Sequence, residues 1–132
     1  MRIGYLLCLL CFSTMLKASE EALSVDQVVP RNVELAFPNP SNIQADISDF
    51  DVLSLVLMSN EQGERWAVVT VENTSTGRRT LTQKHLLGLF ANGERRAPLD
   101  FKQILNGREI MSLTIGFGES KFPLLGVYSR LD

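Results

Sequence analysis

Cysteine is almost missing from this chain of 132 residues: there are two, Cys8 and Cys11, both within the first dozen positions. Histidine occurs once, at His85. Serine-type nucleophilic catalysis needs an imidazole beside a serine and oriented by an acid, and none of the many serines lies in a nucleophile-elbow sequence. Glycine-rich phosphate loops, internal repeats and low-complexity tracts are absent from the sequence. No apolar run reaches the ~20 residues that cross a bilayer as a helix. A strong charge of one sign is lacking too, with 13 bases against 15 acids and a formal net charge of −2. Such a weakly acidic chain is a poor partner for nucleic acid. What remains is the composition of one ordinary globular domain, 45% apolar and 21% charged, in a length that holds a single core.

The first residues read as an export signal. Arg2 supplies an early positive charge, Tyr5 to Phe12 form a short apolar run that weakens through Met15 and Leu16, and Ala18 is a small exit residue. That order predicts a secretory signal peptide over residues 1–18, with a buried first helix as the alternative. Cleavage there removes both cysteines, so the processed chain has no disulfide and rests on its apolar core, which is uncommon in an oxidising compartment. It also removes Arg2 and Lys17, taking the formal charge from −2 to −4. The expected location is periplasmic or secreted, with no stable membrane span after cleavage. Residues 19–32 are acidic and unpatterned and read as a flexible lead-in. Residues 33–132 read as the folded domain.

Trp66 to Asn73 organises that domain. Side chains alternate along a strand, so Ala67, Val69 and Val71 point one way and Trp66, Val68 and Thr70 the other. Both sets are largely apolar, which predicts a strand in the middle of a sheet. Upstream, Val33 to Phe37 is a first strand candidate, stopped by the turn cluster Pro38 to Asn42. Asp51 to Ser59 reads as a strand with Leu53, Leu55 and Leu57 on one face and Val52, Val56 and Met58 on the other. Asn60 to Glu64 then turns it into the Trp66 strand as a hairpin. Thr74 to Gly77 is a polar loop.

Leu81 to Ala91 is ambiguous. As a strand, His85, Leu87 and Leu89 alternate with Leu86 and Phe90. As a helix, Thr82 caps the start and Gly93 sits past the end. The strand is preferred because Asn92-Gly93 is a hairpin turn from which Glu94 to Leu99 can pair back. Asp100 to Asn106 reads as one helical turn closed by Gly107. Next, Ile110, Ser112, Thr114 and Gly116 oppose Met111, Leu113, Ile115 and Phe117, as a half-buried antiparallel strand requires. Phe122 to Tyr128 is the last strand.

Short strands, turn signals about every ten residues and no strong amphipathic helix predict an all-β antiparallel sandwich. Four stretches carry a resemblance: the Trp66 strand ending in Glu72-Asn73, the Asn92-Gly93 hairpin, the apolar-Asn-Gly-Arg-Glu run from Leu105 to Glu109, and Ile115-Gly116-Phe117-Gly118. From Val33 to Arg130 the chain resembles small exported immunoglobulin-like domains. The resemblance implies a fold and carries over no functional residue. Unlike antibody-type domains, the chain lacks the paired core cysteines.

Single-residue sites are outweighed by plain structural roles. Met58, Met111 and His85 are of the type that binds cuprous ions, yet both methionines lie in apolar alternation where methionine fills cores. Asp46, Asp49 and Asp51 lack the glycine and bidentate acid of a calcium loop. Asn73-Thr74-Ser75 matches a glycosylation sequon in an expected surface loop. No metal site or cofactor is expected. Charge, however, is segregated along the chain. Nine acids and one base, Arg31, fall between Glu20 and Glu64; seven bases face two acids between Arg78 and Arg108. Either the two segments neutralise each other at ~0–1 kcal/mol per exposed pair, or Arg78, Arg79, Arg95 and Arg96 form a basic patch that steers an anionic partner.

The expectation is a non-enzymatic exported module that binds another envelope or secreted protein, as an accessory part of an envelope assembly, through loops and an exposed sheet edge. Two alternatives stand beside it. One is an inhibitor of an exported hydrolase, plugging its site with Thr74 to Arg79 or Gly116 to Phe122. The other is a carrier of an anion or metal.

Overall fold

The central position expected for the Trp66 strand is the position it takes in the computed structural model, which describes residues 23–29 and 42–131. The signal segment, the Val33 to Phe37 strand and most of the turn cluster after it lie outside the described residues. The strands are β1 (Ser24–Val29), β2 (Ile47–Ser48), β3 (Phe50–Ser59), β4 (Glu64–Asn73), β5 (Arg79–Thr82), β6 (Leu87–Phe90), β7 (Arg95–Arg96), β8 (Lys102–Leu105), β9 (Ile110–Glu119), β10 (Leu124–Tyr128) and β11 (Arg130–Leu131). The protein is all-β. One sheet runs β1-β3-β4-β9, a second β10-β6-β7, and two pairs, β5-β8 and β11-β2, complete the arrangement. Every pairing is antiparallel except the short parallel one of β2 with β11.

The core lies between these layers, an arrangement compatible with a β-sandwich. Ala67, Val69 and Val71 of β4 are fully buried, as are Phe90 of β6 and Phe117 of β9. The rings of Phe90 and Phe117 meet edge to face with centroids 6.5 Å apart, a preferred aromatic geometry. Leu81 and Leu105 bring β5 and β8 into the same apolar cluster. Each such side chain contributes about 1.5–3 kcal/mol by leaving water.

Four expectations need correction. Part of the supposed lead-in is strand: β1 pairs with β3 from Ser24↔Ser59 to Val29↔Leu55. Its pattern is hidden by a register shift between Val25 and Gln27. In β3 the three leucines do not share a face. Val52 pairs with Val71 and Ser54 with Thr70, leaving Leu53 as the extra residue of a bulge. Such an insertion reverses the side-chain phase, so Phe50 and Val52 join Leu55 and Leu57 at the core.

Leu81 to Ala91 is neither one strand nor one helix. β5 ends at Thr82, residues Gln83–His85 make a single 3-10 turn, and β6 follows. Thr82 does cap that turn: its hydroxyl accepts from Lys84 N–H, while its own N–H donates to His85 Nδ1 at 3.0 Å. Finally, Asp100 to Asn106 is not a helical turn, since β8 pairs there with β5.

The two tight hairpins share one geometry. Gly63 N–H donates to Asn60 O and Asn60 N–H to Glu64 O; Gly93 N–H donates to Phe90 O and Phe90 N–H to Glu94 O. Gly63 and Gly93 have φ of 84° and 87°, which glycine adopts without steric cost.

Candidate interaction surface

The four arginines singled out in sequence do not meet. Arg79 begins β5, where its Nε donates to Asp49 Oδ2 at 3.1 Å across a pair about half exposed on both sides. Arg78 is exposed beside it. Arg95 and Arg96 form β7, opposite Leu89 and Gly88. Arg96 is committed to the fold. Its guanidinium lies 4.6 Å from the Phe90 ring centroid, donates through Nη1 to the carbonyls of Phe117 and Glu119 at 2.9 and 3.0 Å, and pairs with Glu94 at 3.1 Å. Glu119 pairs with Glu64 at one end of β4, whereas Asp49 receives Thr74 N–H just past the other end. The ten residues of β4, at ~3.3 Å each, separate the two pairs. They make two local sites, not one basic patch.

The loop bearing Arg78 is built on Asn73. This side chain is fully buried. Its Nδ2 donates to Gly77 O, Asn106 O and, at a longer 3.3 Å, Leu105 O, while its Oδ1 accepts from Ser75 N–H at 3.0 Å. One amide thereby ties the loop after β4 to the turn after β8. That turn also presses on the loop: a Cβ on Gly107 would stand 2.1 Å from Thr76 O. The expected surface sequon is therefore a buried structural joint.

His85 is likewise engaged. Its ring lies 5.6 Å from that of Phe50, and Nδ1 accepts the Thr82 N–H. Burial lowers its pKa below 6.5, with Asp46 opposing the shift and Lys84 adding to it. Met58 and Met111 sit on opposite faces of the large sheet, because Met58 is opposite Trp66 and Met111 opposite Val71. Asp49 is paired with Arg79 rather than with its neighbouring aspartates. Among the described residues no three His, Cys, Asp or Glu side chains gather, and no helix is long and apolar enough to cross a membrane.

What sequence reading passed over is the outward face of the large sheet. With Ala67, Val69 and Val71 in the core, the register directs Trp66, Val68, Thr70 and Glu72 away from it. Val28, Val56 and Val68 form one row across β1, β3 and β4; Val25, Met58 and Trp66 form the next. Val25 and Val28 are 60% and 64% exposed, and the other four are half-buried. The Trp66 indole lies against bare backbone, since a Cβ on Gly116 would come within 3.1–3.3 Å of its ring atoms. Along the strands this apolar area gives way to hydroxyls, where Thr70 and Ser112 share a 2.7 Å hydrogen bond. The signal was present in the sequence: a strand apolar on both faces buries one against the core and leaves the other in need of a cover.

A cavity of about 390 Å³ opens at the edge of this area, lined by Leu23, Asn60, Gln62, Glu64 and Trp66. Asn60 shapes it. Its Oδ1 accepts from the N–H groups of Gln62 and Glu64, and its Nδ2 donates to Glu64 Oε1 at 2.9 Å. No protein-family model matches the chain, and comparison with curated proteins and with solved structures finds no match.

Proposed function

We propose that this chain is an exported, immunoglobulin-like β-sandwich that binds another envelope or secreted protein and has no catalytic activity of its own, serving as an accessory module of an envelope assembly. The observation that carries the reading is the apolar outward face of the β1-β3-β4-β9 sheet, from Val25 and Val28 across Val56 and Met58 to Trp66 and Val68. Contiguous apolar area of this kind on a sheet face marks association sites. Strand connectivity supports the immunoglobulin-like part. After β4 the chain crosses to β6 and β7, β9 returns beside β4, and β10 lies beside β6, the neighbour relations of such sandwiches. The basic start, apolar run and Ala18 of residues 1–18 support export; mass spectrometry of the processed protein should find Ser19 at its amino terminus.

The binding test compares retention of envelope proteins on the immobilised processed chain with retention on Val68→Glu, after circular dichroism shows both folded. A discrete protein held by the wild type and lost by Val68→Glu is expected, with Arg78→Glu plus Arg79→Glu leaving it in place. Equal retention by both, or turnover of a substrate by the purified chain, would overturn the reading. One observation favours the inhibitor alternative: Asn73 holds an exposed, arginine-bearing loop in a single shape. In that case the Arg78 and Arg79 reversals abolish binding and Val68→Glu does not.

A further inference from the structure

Only one base, Arg65, occurs in β1, β3, β4 and β9, and its guanidinium is bound to Ser120 O at 3.0 and 3.1 Å. The outward face is acidic at both ends. Glu64 and Glu119 are partners at one, Asp51 and Glu72 at the other. Between them lie the apolar rows. A second copy docking face to face with twofold symmetry would stack this one sign of charge on itself, whereas a cationic partner would meet it with opposite sign.

The cavity at the Trp66 end carries the chemistry further. It combines an aromatic ring, a carboxylate and the amide side chains of Asn60 and Gln62, with no basic residue among the described residues that line it. One face of the indole is against Gly116. Asn60 steadies the Glu64 carboxylate at 2.9 Å. An aromatic face beside a fixed carboxylate is the arrangement that holds a guanidinium or ammonium group, by ring attraction and by a charge-assisted hydrogen bond together.

Building on the protein-binding reading above, we infer that this cavity takes an arginine or lysine side chain of the partner, from a segment whose neighbouring aliphatic side chains lie on the Val25–Met58 and Val28–Val56–Val68 rows. Trp66 is the sole tryptophan of the chain, so its fluorescence reports the site directly. The probe is a blocked synthetic pentapeptide alternating isoleucine and arginine, with citrulline and glutamate counterparts. The arginine peptide should shift Trp66 emission saturably. Glu64→Gln should weaken that binding about tenfold, citrulline should weaken it comparably, and roughly 0.5 M salt should lower it more for the wild type than for Glu64→Gln.

Citrulline or glutamate peptides binding as tightly as arginine, an arginine peptide that leaves the emission unchanged, or Glu64→Gln without effect would overturn the proposal. A partner lost by Val68→Glu but held fully by Glu64→Gln would overturn the cation pocket and leave the protein-binding reading standing. A dimer abolished by Val68→Glu would assign the face to a second copy. Trp66 emission that reddens on Leu35→Glu would assign it to the chain's own 33–37 segment. Both results would also overturn the proposal.

Discussion

Replacing Asn73 by alanine or aspartate tests the central physical claim about the loop region, that one buried amide joins segments more than thirty residues apart. Alanine removes two good donor bonds, one long one and the bond from Ser75 N–H. Gly77 O keeps the Ser75 hydroxyl and Asn106 O keeps the Glu109 N–H, so the carbonyls are not all stranded. A net of about 1 kcal/mol per good bond, plus a partial penalty for the groups left unpaired, gives about 2–4 kcal/mol. Against a domain stability of about 5–15 kcal/mol, that lowers Tm by roughly 10 °C or more.

Aspartate is nearly isosteric but cannot donate when ionised, and it turns a buried charge toward carbonyl oxygens. Its cost at neutral pH should exceed that of alanine, at about 3–5 kcal/mol. The folded-state pKa of this new carboxyl must lie above its unfolded value of ~3.9. The ionisation part of the penalty is therefore absent below that value and grows as pH rises toward the folded pKa. Urea unfolding followed by Trp66 fluorescence measures each case. Aspartate within about 0.5 kcal/mol of wild type at pH ~7, or a penalty that does not change between pH ~4 and ~7, would refute the reasoning.

The His85 pKa is depressed in the fold, so its contribution is complete above 6.5 and is lost as pH falls from there toward the folded value. His85→Gln keeps an acceptor for the Thr82 N–H and should show a flatter stability curve between pH ~7 and ~5 than the wild type. Arg96→Gln should cost about 1–2 kcal/mol, because ring and carbonyl contacts go with it. Arg79→Gln, which loses one exposed ion pair, should cost under about 1 kcal/mol; thermal denaturation separates the two. In the Asn106–Glu109 turn, Gly107→Ala should cost about 2 kcal/mol or more by driving a Cβ into Thr76 O. Arg108→Gly, at a φ of 66°, should instead change stability by a few tenths of a kcal/mol at most, in the favourable direction.

Wherever burial followed strand alternation without interruption, the sequence was sufficient. The two apolar faces of β4 and the alternation of β9 from Ile110 to Gly116, before its own register shift, are visible residue by residue, and both hairpins announce themselves through Asn60 to Glu64 and Asn92-Gly93. Alternation misleads as soon as a bulge intervenes. Leu53 slips the phase of β3, and the shift between Val25 and Gln27 breaks the pattern of β1. Contacts formed by distant segments are invisible for another reason. Nothing local distinguishes Asn73 from a strand-ending asparagine, because the carbonyls it binds come from Leu105 and Asn106. Arg79 and Arg96 also look alike in sequence; only the approach of Phe90 and of the β9 carbonyls ties Arg96, and not Arg79, to the fold. The same limit hid the Glu64–Trp66 cavity, which needs the hairpin closed before its parts adjoin.

The Arg96 guanidinium and the Leu99 N–H together occupy carbonyls of Gly116, Phe117 and Glu119. A foreign strand arriving along that stretch finds its hydrogen-bonding positions taken and a positive charge in the way, a standard guard against zippering between molecules. Any association in that quarter would therefore fall on the flat of the sheet, stacking a partner on the molecule instead of lengthening its sheet.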